Sequence, residues 1–324
     1  MRRRILAGWA FVLTSAACTG LHAQTAASGL PPPPAATEGL RLLYSGDPDA
    51  AIEGFRRVQA ESPDDPLGYL LEAEGRWWKI FCESAEFKWG MTDAWHRDKQ
   101  ASDQAYLALA DKAIVLAEAR LKQADSAEAH LDAGLGYALK ARLHGLRDGK
   151  RATARAGVRA REHLLRALEL DPSLADADTG LGLYNYYVDT LSAIAKVLRF
   201  FMGIPGGSKK DGLRQLQRAA EHGTITAAEA RFYLAKNLRN FDRDYNQALQ
   251  VLEPLAAQYP SNAIFQLFWG DLHAKLSHKE QAAGCYRAAA ALPVPAACRA
   301  RIRKLAAAAL ASLGPAYAPT PAVP

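Results

Sequence analysis

Long hydrophobic runs are scarce in this 324-residue chain, and so are cysteine (four) and methionine (three). The one sustained apolar stretch, Ile5 to Ala17, has 13 residues and falls short of the ~20 needed to cross a bilayer. No alternating apolar–polar run of useful length occurs, which argues against a sheet. Catalytic signatures are missing as well. There is no Gly-x-Ser-x-Gly elbow, no His-Glu-x-x-His zinc helix and no paired-cysteine metal spacing. The histidines are scattered, and the acidic group Asp171, Asp176 and Asp178 lacks the glutamate that closes a calcium loop. The expectation is a protein that is not an enzyme, with no metal and no cofactor.

Basic charge is less abundant than it first looks. The chain carries 40 Lys+Arg and 34 Asp+Glu, a net +6, but Arg2, Arg3 and Arg4 precede the apolar stretch in the layout of a secretory leader. Cleavage after Leu21-His22-Ala23 removes those three cations and no acid, so +6 falls to +3. A global nucleic-acid footprint is not supported. The rival reading of the leader is a lipoprotein signal ending at Cys18, although Ser15 stands where leucine is usual. Either way the expected destination is the periplasm or cell envelope. Residues 24–37, with Pro31 to Pro34, read as a stiff spacer, and 314–324 as a disordered Pro/Ala tail.

What is present is a recurring four-point spacing: a small residue, a bulky apolar one four later, a small or apolar one seven later, and proline at twelve. It runs Ala51–Phe55–Val58–Pro63, Ala160–Leu164–Ala167–Pro172 and Ala248–Leu252–Leu255–Pro260. Partial copies are Ala282–Tyr286–Ala289 and Gly212–Leu216–Ala219. The first three positions share one helix face, and the proline ends the helix. Between residues 38 and 313 the pattern predicts six helical hairpins and a closing helix over 296–313, an all-α stack whose members cannot bury their apolar faces alone.

This spacing resembles the tetratricopeptide repeat (TPR), whose first helix carries bulky, Gly and Tyr positions and whose second carries Ala, Phe and Pro. Phe265, Phe268 and Gly270 with Ala282, Tyr286 and Ala289 fit it best, and Leu131, Gly134 and Tyr137 supply an earlier first helix. Three units are longer than the standard. The resemblance implies a TPR-like αα superhelix that binds a protein or peptide along the first helices, those holding Tyr137, Tyr184, Tyr187 and Phe265. A looser likeness, through Gly180 to Tyr184, Gly212-Leu213 and Ala263 to Phe268, is to the eukaryotic TPR family that includes a yeast inclusion-body clearance protein. It implies architecture only.

Three further features invite a functional reading. Four of the six tryptophans fall between Trp77 and Trp95. Helical spacing assigns Trp78 to the core, while Trp89 and Trp95 lie in an insertion that is either a partner site or folded back on the stack. Residues 188–204 form a segment apolar around most of a helical wheel, either sunk in the stack or docked peripherally on a membrane or partner. From Lys140 to Arg166 there are nine basic residues against Asp148 and Glu162, with Arg151, Arg155 and Arg159 on one face. That face suits anionic lipid, polysaccharide or an acidic protein, or else is a solvated helix. The glycine-rich run before Lys209 is read as a turn ending at a Ser208 cap, not a nucleotide loop. Cys285 and Cys298, on consecutive helices, either bridge and leave Cys82 unpaired, or all three are buried free thiols.

Overall fold

Proline opens the first three helices. Pro34, Pro48 and Pro66 begin α1 (Pro34–Tyr44), α2 (Pro48–Glu61) and α3 (Pro66–Ser84), where a missing N–H removes no helical bond. Side-chain caps set other starts. Asp47 accepts from a backbone N–H of α2, Ser126 from α5 (Ala127–Leu146), Ser208 from α9 (Lys209–His222) and Asn262 from α12 (Ala263–Lys275). At the other end, Pro63, Pro172 and Pro260 stand just beyond α2, α6 (Lys150–Leu170) and α11 (Tyr245–Gln258), as the spacing requires. The remaining helices are α4 (Ala101–Leu121), α7 (Ala177–Asp189), α8 (Ala193–Phe201), α10 (Ala227–Asn237), α13 (Lys279–Ala291) and α14 (Ala296–Leu313). A π turn, Leu238–Asp242, continues α10.

The computed structural model describes residues 32–84 and 98–318. Trp89, Trp95, Cys18, the leader over 1–23 and most of the 24–37 spacer lie outside the described residues. Two boundaries move. The first helix starts at Pro34, because Pro33 is extended and proline suits the first helical position, so the spacer ends earlier than expected. At the far end Pro315–Tyr317 form a short 3-10 turn, and the Tyr317 hydroxyl donates to Glu280 at 2.5 Å.

Among the described residues every element is helical, and consecutive helices pack in series, which makes the chain an all-α solenoid of six hairpins with a closing helix. The repeated positions are its contact stripe. Ala51, Phe55, Leu164, Ala167, Ala248, Leu252, Ala282 and Ala289 are completely buried. Small residues set the closest approaches: a Cβ on Gly212 would lie 2.7 Å from the Gly182 carbonyl, so α7 and α9 touch backbone to backbone.

The first helices of the hairpins form an inner layer. There α3 meets α1 and α5, α5 meets α7, α7 meets α10, and α12 meets α14. The layer then closes, because α14 returns to pack on α3. A second tie joins the loop before α12 to the end of α1. Asn262 donates to the Tyr44 carbonyl (2.9 Å) and Ser261 to that of Ser45 (2.7 Å). Aromatic rings fill the centre: Trp78 lies 5.1 Å from Phe232 and 5.8 Å from Phe265, centroid to centroid. Phe265, expected on an open concave face, is completely buried in this cluster.

A disulfide locks the closure. Cys82 of α3 is bonded to Cys298 of α14, 216 residues away, and among the described residues Cys285 is the free, buried thiol. The expected Cys285–Cys298 pair is therefore corrected. Cys285 faces α12, where a Cβ on Gly270 would come within 3.0 Å of it, whereas Cys298 faces α3.

Candidate interaction surfaces

Charge enters the centre through α5. Arg142, its side chain 12% exposed, donates to Glu74 on α3 (2.5 Å) and to Glu229 on α10, with its guanidinium 4.4 Å from the centre of the Trp77 ring. Glu74, which the sequence leaves in an apolar stripe in need of a partner, also accepts from the Trp78 indole (2.8 Å). One cation thus serves two buried carboxylates. Burial, and then the Glu74 charge, push the Glu229 carboxyl above its ordinary range against the pull of Arg142.

Along α10 the inner stripe continues through Tyr233, Lys236 and Asn237 at helical spacing. Lys236 is 8% exposed and its amine lies 4.6 Å over the Tyr233 ring. Among the described residues no carboxylate pairs with it. Burial, and then the nearby Arg142, lower its pKa to about 7. Next to it Asn237 is completely buried. Its amide oxygen accepts from the Tyr187 hydroxyl (3.0 Å), while its Nδ2 has no acceptor, and neither has Arg142 Nε. This inner wall, with Trp77, Arg142, Tyr187, Tyr233, Lys236 and Asn237, offers donors in excess of acceptors. Sequence reasoning nominated Tyr187 but not Lys236, since a lysine in an amphipathic helix is ordinarily solvated.

The other nominated tyrosines do not face the centre. Tyr137 lies between α4, α5 and α6, donating to Glu118 (2.8 Å), stacked 5.7 Å from the His163 ring and capped by Arg159. Tyr184 donates to the Pro205 carbonyl (2.9 Å) beneath Arg161. On α6, Arg151 and Arg155 are exposed as expected of a basic face, whereas exposed Arg159 is engaged by Tyr137, Glu118 and Glu162.

A histidine pair stitches α5 to α6. His130 Nδ1 and His163 Nδ1 are 2.9 Å apart and His130 Nε2 is 2.8 Å from Asp125, while His163 Nε2 is buried with no partner. A single shared proton satisfies the Nδ1–Nδ1 contact, so His163 is neutral and a second proton on it would be orphaned. Burial, and then His130, hold its pKa below the ordinary 6.5, with Arg159 adding and Glu118 and Glu162 opposing. A depressed histidine leaves stability intact above 6.5. As pH falls below 6.5 the unfolded chain binds the proton first and stability drops, levelling once the folded form also protonates. Relative to the parent, the His163→Asn variant should lose less urea stability, or gain more, on going from pH 7.5 to 5, because it lacks this one acid-labile contribution.

The 188–204 segment departs from the burial reading. It breaks at Thr190–Ser192, where Ser192 accepts from the Ala195 amide, and restarts as α8. That helix lies on the surface with its amphipathy inverted. Lys196, its side chain 41% exposed, pairs with Asp189 (3.0 Å), and Arg199 donates to the Ile204 carbonyl (3.1 Å). The apolar side chains point out: Ile194 is 75% exposed, Val197 55%, Phe200 77% and Met202 64%. Among the described residues no helix is long and apolar enough to cross a membrane.

Comparison with known proteins adds a family. Residues 76–264, more than half of the 324, match the family described as regulator of microtubule dynamics protein 1-3. The chain belongs to that family. The match runs from α3 into the start of α12 and so takes in Arg142, Tyr187, Lys236 and α8. No curated protein is matched.

Proposed function

We infer that this member of the family is an exported, non-enzymatic scaffold whose hairpins are divergent TPR units, and that it takes a protein or peptide partner on the inner face of the solenoid through an acidic group. The observation that carries this reading is Lys236: a nearly buried amine without a carboxylate among the described residues, flanked by the unsatisfied amide of Asn237. A buried cation lacking a counter-charge is destabilising, and a carboxylate from outside would supply both the charge and the missing acceptor. Half-buried Tyr187 beside it offers flat apolar contact of the kind that anchors interfaces. Trp78, Phe232 and Phe265 fill the centre of the inner layer, so a chain end or a single side chain fits this reading better than an extended peptide along a whole groove.

Export is supported by the leader-like N-terminus and by a disulfide that a reducing cytoplasm would disfavour. The family's name refers to microtubule dynamics, and nothing in this reading depends on that role. The test is an array of immobilised peptides with acidic, neutral and basic termini, probed with the purified chain. Selective retention on acidic peptides, lost in Lys236→Met and kept in Lys304→Ala on the closing helix, is the expected result. Retention indifferent to peptide charge, or unchanged in Lys236→Met, would remove the proposal.

A further inference from the structure

We propose that α8, with the cations Arg161 and Lys210 beside it, forms a docking surface for an anionic phospholipid bilayer, on which the protein lies peripherally. This is independent of the Lys236 reading and uses a different side of the molecule. A water-facing helix ordinarily buries its apolar side and solvates its charges. Here the arrangement is reversed, with Lys196 and Arg199 spent on Asp189 and the Ile204 carbonyl while Ile194, Val197 and Phe200 are presented outward, extended by Leu191 and Met202 at either end. At nine residues α8 is far too short to span, so its apolar side suits the headgroup boundary of a membrane, where a helix lies in the plane.

Charge selects the kind of surface. No Asp or Glu occurs between Asp189 and Asp211, and although Lys196 and Lys209 are paired with Asp189 and Asp242, Lys210 is exposed beside them. One flank of α6, that of Gly157 and Arg161, is adjoined to this segment through Tyr184. Its hydroxyl donates to Pro205 in the loop after α8, its ring lies under Arg161 and within 3.6 Å of a Cβ built on Gly157, and Arg161 and Arg199 both act on its phenol. Arg161 is the α6 cation at this junction, and exposed Lys210 stands in the first turn of α9, so cations stand beside the apolar patch. Exposed apolar side chains beside cations match a bilayer carrying negative headgroups, since each basic residue near such a surface adds to attraction.

The test follows backbone amide exchange in the full chain with vesicles of phosphatidylcholine alone or with about one-third phosphatidylglycerol, a fraction large enough for the surface charge to dominate within a Debye length. A local readout over 190–204 keeps the leader from deciding the result. Exchange across α8 should slow several-fold with anionic vesicles and not with neutral ones. The slowing should vanish in Ile194→Glu/Phe200→Glu and weaken in Lys210→Glu, and a rise in salt should reduce it. Because all three positions are exposed, the variants should unfold at the parent's urea midpoint. Equal protection by neutral vesicles, no protection at all, or protection that appears without vesicles as concentration rises and is lost in Ile194→Glu would each overturn the proposal; the last would make this face a contact between copies.

Discussion

Replacing Cys298 with alanine should lower the unfolding free energy by about 2–5 kcal/mol, the range seen when a native cross-link is removed. The effect should lie toward the upper end, because the bond closes a loop of 216 residues and the entropy of an open chain grows with the logarithm of that length. Cys298 is itself buried, so alanine also leaves a small gap between α3 and α14. A Cys82→Ala variant separates the two causes, since it removes the same bond from the other side. Urea unfolding with and without a reductant is the measurement. Reductant should bring the parent down to the variants and leave the variants unmoved. Amide exchange of α14 should accelerate more than that of α6, because α14 is held to α3 by this bond while α6 is packed against α5 and α7. An Arg301 contact to the Glu83 carbonyl (2.6 Å) remains as a weaker tether.

The second large effect concerns Arg142. Substitution by methionine keeps the volume of the stem but strands Glu74 and Glu229 in the interior, and breaking one partner of a buried ion pair costs about 3–5 kcal/mol. The deficit should depend on pH with a definite sign. Glu229 is already raised above its ordinary 4.5, and the variant removes the one influence that lowers it. The folded variant then holds a proton that the unfolded chain has released, so stability is greatest below 4.5 and falls as pH rises through the folded value. Urea midpoints at pH 5 and pH 7 should therefore diverge further in Arg142→Met than in the parent. Adding Glu74→Gln and Glu229→Gln should recover most of the loss, since the penalty comes from uncompensated charge. A triple variant as weak as the single would show that Arg142 acts through its packing on Trp77.

Much of the architecture could be read from the chain. The spaced alanines and leucines are the contact stripe, the prolines stand where helices stop, and the closing helix occupies 296–313. These features are local: periodicity and helix punctuation repeat within a few turns, so one sequence suffices. Trp78 was placed in the core by the same periodicity, and Ser208 as a cap by its neighbours. The disulfide was misassigned for the opposite reason. Nearness in sequence favoured Cys285, but Cys298 meets Cys82 only because the inner layer comes round on itself, and that curvature is a sum of small angles between hairpins. The burial of Phe265 and the isolation of Lys236 depend on the same closure. For α8 the composition was clear and its side was not. An apolar helix with a narrow cationic strip fits equally well with the strip inward or outward until Asp189 and Ile204 are known to lie beneath it.

The return of α14 onto α3 also fixes an order of events. A polypeptide emerging from its N-terminus exposes the aromatic flank of its third helix early, yet the helix that locks onto it follows more than two hundred residues later. During synthesis that flank must wait for this helix, uncovered or guarded by something else. An open row of repeats could settle unit by unit as it appears. This one cannot finish until its tail arrives.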